Sequence, residues 1–507
     1  MALGGTDRAA ARRSAGAGGG LLRVPAVAAA YRAALAAAKV GGAEDGLTAS
    51  AIGVRQRPRD AVPLPVDPRR RYPTSQSVAG ERRTMMARHW QGTRAAGLEA
   101  MAAFVPAMGR RYAAGRNYDY GPENRKAVSG LSPWVRRRLV TEQELVAAAI
   151  AAHGFDGAEK FVQEVFWRSY FKGWLERRPL VWRAYVEGLD ADLVALECDR
   201  RLRRTVEAAE GGETGIDCFD VWARELVETG YLHNHTRMWF ASIWIFTLDL
   251  PWRLGADFFY RHLLDGDAAS NTLSWRWVAG LHTRGKAYHA EPWNIATYTG
   301  QRFTPRDAEL ARRRDSLDFL EPKGLPPLQP LRQPTRPETG RPTLLLITDE
   351  DARTEDFDLV GLDLRAVATL SASHLRSPLD VSEAVAAVET EALADAAMRA
   401  GRPAQSFRAG VPEDLARFAE RAGVTQIVTP FVPRGPTHDW LERVRPALAA
   451  RDIVLAEWRR EWDEAVWPLA SAGFFKVKER IPALVARLIP DAQSAASADG
   501  RLSSSTR

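Results

Sequence analysis

Polar side chains with the chemistry of a cofactor site are concentrated between residues 229 and 280. This segment carries an Asn-x-x-Arg-Met group, an Asp-Gly-Asp pair, a further asparagine and two tryptophans: Asn234, Arg237, Met238, Asp265, Asp267, Asn271, Trp275 and Trp277. The surrounding residues are apolar and have helical spacing, so these polar groups are expected to be buried. A buried polar group without a partner is costly, and a buried ion pair needs further hydrogen bonds. The pattern therefore predicts a site for a polar cofactor.

Two earlier segments add groups that could bind anions or bases. The first is Tyr112 with Arg116, followed by the sequence VSGLSP over residues 128–133. Successive backbone amides that open a helix attract anions, although such a string alone more often only caps a helix. The second segment is EVFWR, Glu164–Arg168, whose acid and arginine would form only a weak pair on an exposed helix. Neither segment identifies a site alone.

Composition limits the classes of protein to which the chain can belong. The chain has 507 residues, 46% hydrophobic and 26% charged, which is ordinary for a globular protein of two or three domains. A net charge of +7 permits a partner such as nucleic acid, but arginine-rich proteins without one also carry such a charge. Cys198 and Cys218 are too few for a disulfide framework or an iron–sulfur cluster. We expect a cytoplasmic protein without a metal site or a transmembrane helix.

Helical periodicity extends over residues 85–319. It is strongest in three stretches: Thr141–His153, Glu159–Arg177 and Ile216–Thr229. Thr141 and Glu144 predict a capping box at the start of the first stretch. An Asp-Leu-Pro sequence at 249–251 ends one helix and precedes another. This part of the chain therefore predicts an all-α domain.

The second part of the chain has a different period. Residues 320–342 contain seven prolines and predict an extended linker. Strands are then predicted at 343–348, 364–369 and 425–433, with helices at 381–400 and 413–422. This alternation indicates a smaller α/β domain with a parallel, Rossmann-like sheet over residues 343–490.

Both ends of the chain have the composition of disordered segments. Residues 1–84 are a low-complexity extension rich in alanine, glycine and arginine, and residues 491–507 are small and polar. The extension is interpreted either as a transit peptide or as a translation start assigned too early.

In order and spacing, the segments resemble those of the DNA photolyase/cryptochrome family over about residues 107–301. EVFWR is similar to the family's ELxWREF motif, with Ser169 in place of the usual acid. The group from Asn234 to Met238 is similar to HNRxRM, and TGIDCFDVW at 214–222 is similar to TGxxxxDA. The resemblance implies an all-α FAD-binding domain of this family's type.

The resemblance also implies which residues hold FAD. The loop at 128–132 and Arg168 would hold the phosphates, and Arg237 would pair with Asp265 beneath the isoalloxazine ring. Asp267 would contact the pyrimidine edge of the flavin, and Asn271 would lie beside N5. The full set of predicted FAD-binding residues is Tyr112, Val128, Ser129, Gly130, Leu131, Ser132, Arg168, Asn234, Arg237, Asp265, Asp267 and Asn271.

By the same resemblance, other residues would contact DNA or carry electrons. Glu164 would hydrogen-bond a flipped pyrimidine pair, and Arg116 would contact a phosphate. The aromatic walls of the pocket would be Trp167 and Trp277. The residues implied in catalysis are Glu164, Met238, Asn271, Trp275 and Trp252. Of these, Trp275 and Trp252 would be the proximal and middle members of an electron relay. The distal relay position lies near Asp199 and holds no tryptophan, so Trp182 and Trp222 are candidates for it.

The function implied is light-dependent DNA repair, in which photoexcited reduced FAD splits cyclobutane pyrimidine dimers. Damaged DNA would be the partner of a monomeric enzyme. Asn271 and the Asn234/Met238 pair favour this interpretation. The alternative is a cryptochrome-like blue-light photoreceptor that binds FAD without repair, which the missing distal tryptophan and the unusual domain order leave open.

The domain order departs from that of the family, whose α/β domain usually comes first. Here the α/β part follows the helical part, so it is either a permuted antenna-type domain or an unrelated module. No glycine-rich phosphate loop follows the predicted strand at 343–348. A second, antenna chromophore is left unassigned.

Overall fold

The computed structural model describes residues 90–310 and 315–490, which belong to one compact unit. The predictions for residues 1–84 and 491–507 concern parts of the chain outside the described residues.

Helices form the first half of the described chain. Between residues 94 and 298 the described α-helices are α1 (Arg94–Phe104), α2 (Arg110–Gly115), α3 (Ser132–Arg136), α4 (Glu142–Glu176), α5 (Pro179–Cys198), α6 (Arg200–Gly211), α7 (Asp217–Thr229), α8 (Asn234–Ser242), α9 (Trp252–His262), α10 (Ala268–Val278) and α11 (Pro292–Tyr298).

The long helix α4 joins two stretches that the sequence predicted as separate helices. The capping box predicted at its start is present, because Thr141 accepts from the Glu144 amide and Glu144 accepts from the Thr141 amide. Gly154 then interrupts the helix with φ 67°, a conformation that costs glycine little. Two helical stretches therefore meet at a kink at Gly154, in agreement with the two stretches that the sequence predicted.

The predicted break after α8 is also present. α8 passes into a π-helical turn over Ile243–Thr247, and the chain turns at Asp249, which has φ 54°. α9 begins at Trp252, directly after Pro251. The break turns the chain so that α9 packs beside α8 and α10.

A five-stranded parallel sheet forms in the second half. Its strands are β1 (Pro342–Thr348), β2 (Asp363–Ser371), β3 (Ala404–Arg408), β4 (Gln426–Pro430) and β5 (Val454–Trp458), in the order β3-β2-β1-β4-β5. The helices between the strands are α12 (Glu383–Arg399), α13 (Pro412–Arg421) and α14 (Pro436–Ala449).

The central strand β1 is buried on both faces, as its apolar sequence TLLLIT predicted. Leu345 and Ile347 point to one face and join the core of the helical half, whereas Leu344 and Leu346 point to the other. That second face is covered by α13 and α14. One hydrophobic core therefore continues from the helical half into one face of the sheet.

Three helices after the sheet return to the helical half: α15 (Glu461–Val466), α16 (Phe475–Lys478) and α17 (Ile481–Leu488). The sequence had grouped them with the α/β part. Trp462 packs on Phe166 of α4 at 4.7 Å between ring centroids and donates a hydrogen bond of 2.8 Å to Ser169 Oγ. A Cβ on Gly173 would lie 2.7 Å from Trp467 Cα, so this glycine permits close approach of the segment.

Buried ion pairs join the helices to the sheet. Arg136 Nη2 lies 2.7 Å from Glu350 Oε1, just after β1. Arg138 Nη2 lies 2.6 Å from Asp463 Oδ1, and its Nη1 lies 3.2 Å from Asp351 Oδ2. Each of these charges is desolvated, so its partner is required for stability.

Candidate functional site

Arg237 of α8 and Asp265, just before α10, form a partly buried ion pair. Arg237 Nη2 donates to Asp265 Oδ2 at 2.8 Å, and Arg237 Nε donates to the carbonyl of Leu232. Burial, the largest single effect, would raise the pKa of Asp265, but Arg237, Ser132 and Arg168 together hold the pKa below its ordinary value. The carboxylate therefore stays ionised inside the protein.

Asp267 is held by two cations of α4. Its Oδ2 lies 3.3 Å from Lys172 Nζ and 3.7 Å from Arg168 Nη2. Its Oδ1 accepts from the Ser270 amide at 2.8 Å and caps α10. Burial opposes ionisation, but Lys172 and Arg168 hold the pKa of Asp267 well below its usual range. Asp267 thus has partners within the chain, and its contact with a flavin remains a prediction.

Asn271 and Trp275 lie one turn apart on α10 and face α9. The Asn271 amide nitrogen donates to the carbonyl of Ala256 at 2.8 Å. The Trp275 ring packs over Gly255, where an added Cβ would lie 2.4 Å from Trp275 Cη2. Trp275 also meets Phe259 edge-on at 5.1 Å. Gly255 therefore sets the position of the Trp275 ring.

The predicted anion loop at 128–132 lies beside the Arg237–Asp265 pair. The Ser132 hydroxyl contributes to the lowered pKa of Asp265, after burial and Arg237. Gly130 has φ 62°, and a Cβ there would lie 3.3 Å from the Trp90 ring. The Leu131 amide donates to Ser129 Oγ at 3.3 Å. The loop, which begins at Val128, thus lies in one cluster with Arg237 and Asp265.

Glu164 and Arg116, both predicted to contact DNA, lie together. Arg116 Nε is 3.6 Å from Glu164 Oε1, and the Glu164 side chain is 40% exposed. Burial raises the pKa of Glu164, and Arg116 opposes that rise. Tyr112, on the neighbouring helix α2, meets Phe161 edge-on at 5.2 Å, and burial raises its pKa as well. Glu164 can therefore hold a proton at a higher pH than a free glutamate.

The other predicted pocket residues differ in exposure. Asn234 is exposed at the first position of α8, and Met238 is half-buried one turn later. Trp277 stacks on Tyr288 at 5.4 Å. Trp167 stacks on Phe474, with ring centroids 3.9 Å apart and planes at 14°. The face of Trp167 that could receive a base is thus covered by a residue from the C-terminal part of the chain.

The two candidates for the distal relay position have different neighbours. Trp252 lies 5.9 Å from Tyr185, which stacks on Trp182 at 5.3 Å. Trp182 Nε1 donates to Asp439 Oδ2 at 2.7 Å. Trp222 instead stacks on Trp239 at 5.6 Å. A continuous aromatic path therefore links Trp252 with Trp182.

Unpartnered polar atoms test whether these residues fit a flavin. Asp265 Oδ1, Arg168 Nε and Trp275 Nε1 are each buried without a hydrogen-bond partner among the described residues. Each such atom carries a desolvation cost that a polar ligand would remove. Because all three belong to residues predicted to surround the cofactor, the donor and acceptor set fits a flavin.

Three further observations concern the rest of the described residues. A cavity of about 660 Å³ opens at the kink of α4, lined by Arg110, Arg111 and residues 153–157, and contains none of the predicted site residues. Within residues 90–310 and 315–490, no group of three or more histidine, cysteine, aspartate or glutamate side chains is arranged to hold a metal. In the same residues, no helix has the length and apolar character needed to cross a membrane.

Sequence reasoning did not single out Lys172 and Phe474. Lys172 follows Arg168 by four residues, and two cations on one buried helix face require an acid nearby, so a signal was present. Phe474 reaches Trp167 only through the return of the C-terminal helices to α4, and no local pattern indicates that contact.

Comparisons with known proteins point to the same segment. Residues 161–306 match the family model described as the FAD binding domain of DNA photolyase. This range contains the predicted residues from Glu164 to Trp277, whereas Tyr112, Arg116 and the loop at 128–132 lie before it.

Curated relatives match over a similar part of the chain. A deoxyribodipyrimidine photo-lyase of Streptomyces griseus is 37% identical over 158 residues, 31% of this chain and 33% of the relative. A deoxyribodipyrimidine photo-lyase of Thermus thermophilus is 33% identical over 201 residues, 38% of this chain and 44% of the relative. The chain thus spans less than half the length of these relatives.

A class III photolyase from Agrobacterium tumefaciens is similar in structure, with 23% identity and a TM-score of 0.33 over 45% of this chain and 46% of that protein. At that TM-score the likeness supports no inference about fold or function. Residues 161–306 of this chain are therefore similar to the FAD-binding domain of DNA photolyases.

Proposed function

We propose that the protein is a light-dependent flavoprotein that binds FAD and splits cyclobutane pyrimidine dimers in DNA. The observation that carries the proposal is the cluster around Arg237 and Asp265, whose unpartnered polar atoms lie within a segment that matches a photolyase FAD-binding domain. The relatives named as deoxyribodipyrimidine photo-lyases support the choice of reaction.

The residues that would hold FAD follow from the cluster. Arg237 and Asp265 provide a charged pair with a carboxylate oxygen that accepts no hydrogen bond among the described residues, and Arg168 provides a guanidinium whose Nε lies 3.6 Å from Glu142 Oε1 without a hydrogen bond. Asn271 is fixed through its amide nitrogen, which leaves the amide oxygen to accept a hydrogen bond. When bound and reduced, FAD would supply a light-excited electron donor for opening the cyclobutane ring.

Glu164 and Arg116 would act on the DNA. A flipped pyrimidine pair is read through hydrogen bonds to its base edges, and flipping costs less at a poorly stacked lesion. Glu164 would hydrogen-bond the base edges, and burial raises its pKa, towards the protonated form that can donate to a base carbonyl. Arg116 lies close enough to reach an adjacent phosphate when it leaves Glu164.

The chain's own aromatic residues supply a path for electrons. Trp275 packs over Gly255, and Trp252 lies one turn earlier on α9. From Trp252 the path continues through Tyr185 to Trp182. An oxidised indole is a strong acid, and the Asp439 carboxylate already accepts the Trp182 N–H. We therefore assign the distal position to Trp182 instead of Trp222.

One observation favours the second candidate function, a cryptochrome-like photoreceptor without repair activity. Phe474 covers the face of Trp167 on which a base would stack. A protein in which this contact never opened would bind FAD and respond to light without admitting a lesion.

The α/β part is proposed to be a permuted antenna-type domain. Its support is that residues 461–488 leave the sheet and pack on α4, so the two parts share one core despite their reversed order. Reconstitution with antenna chromophores, read as an absorption band beyond that of FAD, tests this proposal. The absence of any such band would favour an unrelated α/β module.

The test of the repair function is conversion of an oligonucleotide with a single thymine dimer by chemically reduced protein, under blue light and in darkness. We expect light-dependent recovery of intact thymines, lost in Glu164→Ala. Glu159→Ala, which removes an exposed acid of the same helix, is the control and should repair normally. A flavin-loaded protein without repair on single- or double-stranded substrate would contradict the proposal and favour the photoreceptor.

A further inference from the structure

The segment from Pro468 to Phe475 lies across the Trp167 side of α4. Phe474 is 7% exposed and stacks nearly parallel on Trp167, at 3.9 Å between ring centroids. The other aromatic neighbours of Trp167 meet it at larger separations, with Tyr170 edge-on and Phe171 tilted, both at 5.5 Å. Among the described residues, Phe474 is therefore the one that stacks closely on the Trp167 ring.

Backbone carbonyls anchor this segment to the helical half. Tyr170 Oη donates to the carbonyl of Ala472 at 2.8 Å, and Arg178 Nη2 donates to the carbonyl of Ser471 at 2.9 Å. Between Leu469 and Phe475 the segment forms turns and bends, without a regular helix or strand. A Cβ on Gly473 would meet no atom within 4 Å. Phe474 is thus held by its ring contacts with Trp167 and Tyr170, the latter edge-on at 5.7 Å, and by the hydrogen bonds to its neighbours Ala472 and Ser471.

Stacked phenyl and indole rings have the geometry of a nucleobase on an indole. A base and Phe474 cannot occupy the same face of Trp167. We propose that Phe474 is a place-holder: it covers Trp167 when no nucleic acid is bound, and a flipped base displaces it. This inference rests on the proposed function, because it takes Trp167 as a wall of the lesion pocket.

A place-holder lowers the apparent affinity of the site. If only a fraction of molecules is open, the apparent dissociation constant for the lesion equals the intrinsic constant divided by that fraction. Phe474→Ala removes the competing ring, so it should tighten binding of a dimer-containing oligonucleotide by roughly three- to tenfold. A residue that instead formed part of the pocket wall would weaken binding when truncated.

Phe475→Ala is the matched control. Phe475 is the next residue along the chain and is 75% exposed, so its truncation should leave the affinity unchanged. The measurement is fluorescence anisotropy of a labelled oligonucleotide with one thymine dimer, alongside the undamaged oligonucleotide. Lesion-selective binding that tightens in Phe474→Ala but not in Phe475→Ala supports the place-holder.

Hydrogen exchange of the unmodified protein covers the case in which Phe474→Ala fails to fold. Saturation with the dimer-containing oligonucleotide should speed amide exchange over residues 471–478. Slower or unchanged exchange there would overturn the place-holder, as would lesion-selective binding that Phe474→Ala leaves unchanged or weakens. No lesion-selective binding by the wild-type protein would overturn the proposed repair function and this inference together.

Discussion

Charged side chains in the cofactor cluster are the residues whose burial needs the most explanation. Arg237, Asp265, Asp267 and Lys172 are all partly or fully removed from water. Their mutual attraction offsets desolvation only where the geometry is good and the remaining polar atoms have partners. Asp265 Oδ1 lacks such a partner among the described residues, which is why a ligand is expected there.

Arg138 adopts a backbone conformation that is unfavourable for a residue other than glycine. Its φ is 52°, in the left-handed region that a non-glycine residue adopts at a cost of roughly 1–2 kcal/mol. Its guanidinium reaches Asp463, Asp351 and Glu142, at 2.6, 3.2 and 3.3 Å. These three ion pairs hold Arg138 in this backbone conformation despite its cost.

Glu225 provides a prediction that depends on pH. Burial and then Asp119 raise the pKa of Glu225 from 4.5 to about 7, although Arg125 lies 3.0 Å away. The folded protein therefore holds a proton that the unfolded chain releases. The resulting stability is present below pH 4.5 and is lost as pH rises through about 7.

We expect Glu225→Gln to raise the free energy of unfolding relative to wild type by about 3 kcal/mol at pH 8, with little difference at pH 4. The check is urea denaturation at both pH values. Glu228→Gln, on the exposed side of the same helix, should show no such pH-dependent difference. An equal effect of Glu225→Gln at both pH values would contradict the assignment.

At the scale of elements, local chemistry decided which predictions held. The capping box at Thr141, the break before Pro251 and the apolar strand β1 follow from nearby residues and were predicted correctly. β3 was missed because AQSFR is an exposed edge strand with a polar sequence, and β5, VLAEW, was also missed. Their strand conformation depends on pairing with β2 and β4, which local patterns do not specify.

The packing of α9 on α10 yields a second prediction. A Cβ on Gly255 would lie 2.4 Å from the Trp275 ring, so Gly255→Ala must displace Trp275. Overpacking of this kind should lower the free energy of unfolding by about 1–3 kcal/mol. Gly211→Ala in α6 meets only the Glu213 side chain at 3.8 Å and should be neutral or stabilising. Thermal denaturation of the two variants decides between these expectations, and equal melting temperatures would contradict the close packing.

The aromatic path gives a third prediction, on α5. Trp182→Phe should slow light-driven reduction of the bound flavin in the presence of a thiol donor by about tenfold or more, because a phenyl ring is far harder to oxidise. Trp222→Phe, which changes a tryptophan stacked on Trp239, should leave the rate near wild type. Time-resolved absorption measures both rates. The reverse order of effects would assign the exit to Trp222.

At the scale of the whole molecule, the helical half and the sheet share a core and a buried charged interface. The sequence shows the two charged runs, three arginines at 136–138 and the acids at 349–351. It does not show that they meet, because their pairing depends on the return of β1 to α3. The cofactor residues could be found from sequence because they form a local motif. The contacts across the interface could not.

Arg138→Gln tests this interface. It leaves the carboxylates of Asp463 and Asp351 buried with one partner fewer, so the free energy of unfolding should fall by about 3–5 kcal/mol. The loss should be similar in low and high salt because the pairs are shielded from solvent. Arg183→Gln, which breaks a 72% exposed pair with Glu187, should change stability by less than about 0.5 kcal/mol. A salt-sensitive or negligible loss in Arg138→Gln would contradict the buried interface.

The most direct test of the central claim is the flavin content of the purified chain after incubation with FAD, measured from the visible absorption spectrum of the protein freed of unbound FAD. We expect an equimolar amount of FAD in wild type, its loss in Arg237→Gln and its retention in the surface control Arg183→Gln. A folded wild-type chain that retains no FAD, or an Arg237→Gln variant that retains it fully, would contradict the assignment of this cluster as the cofactor site.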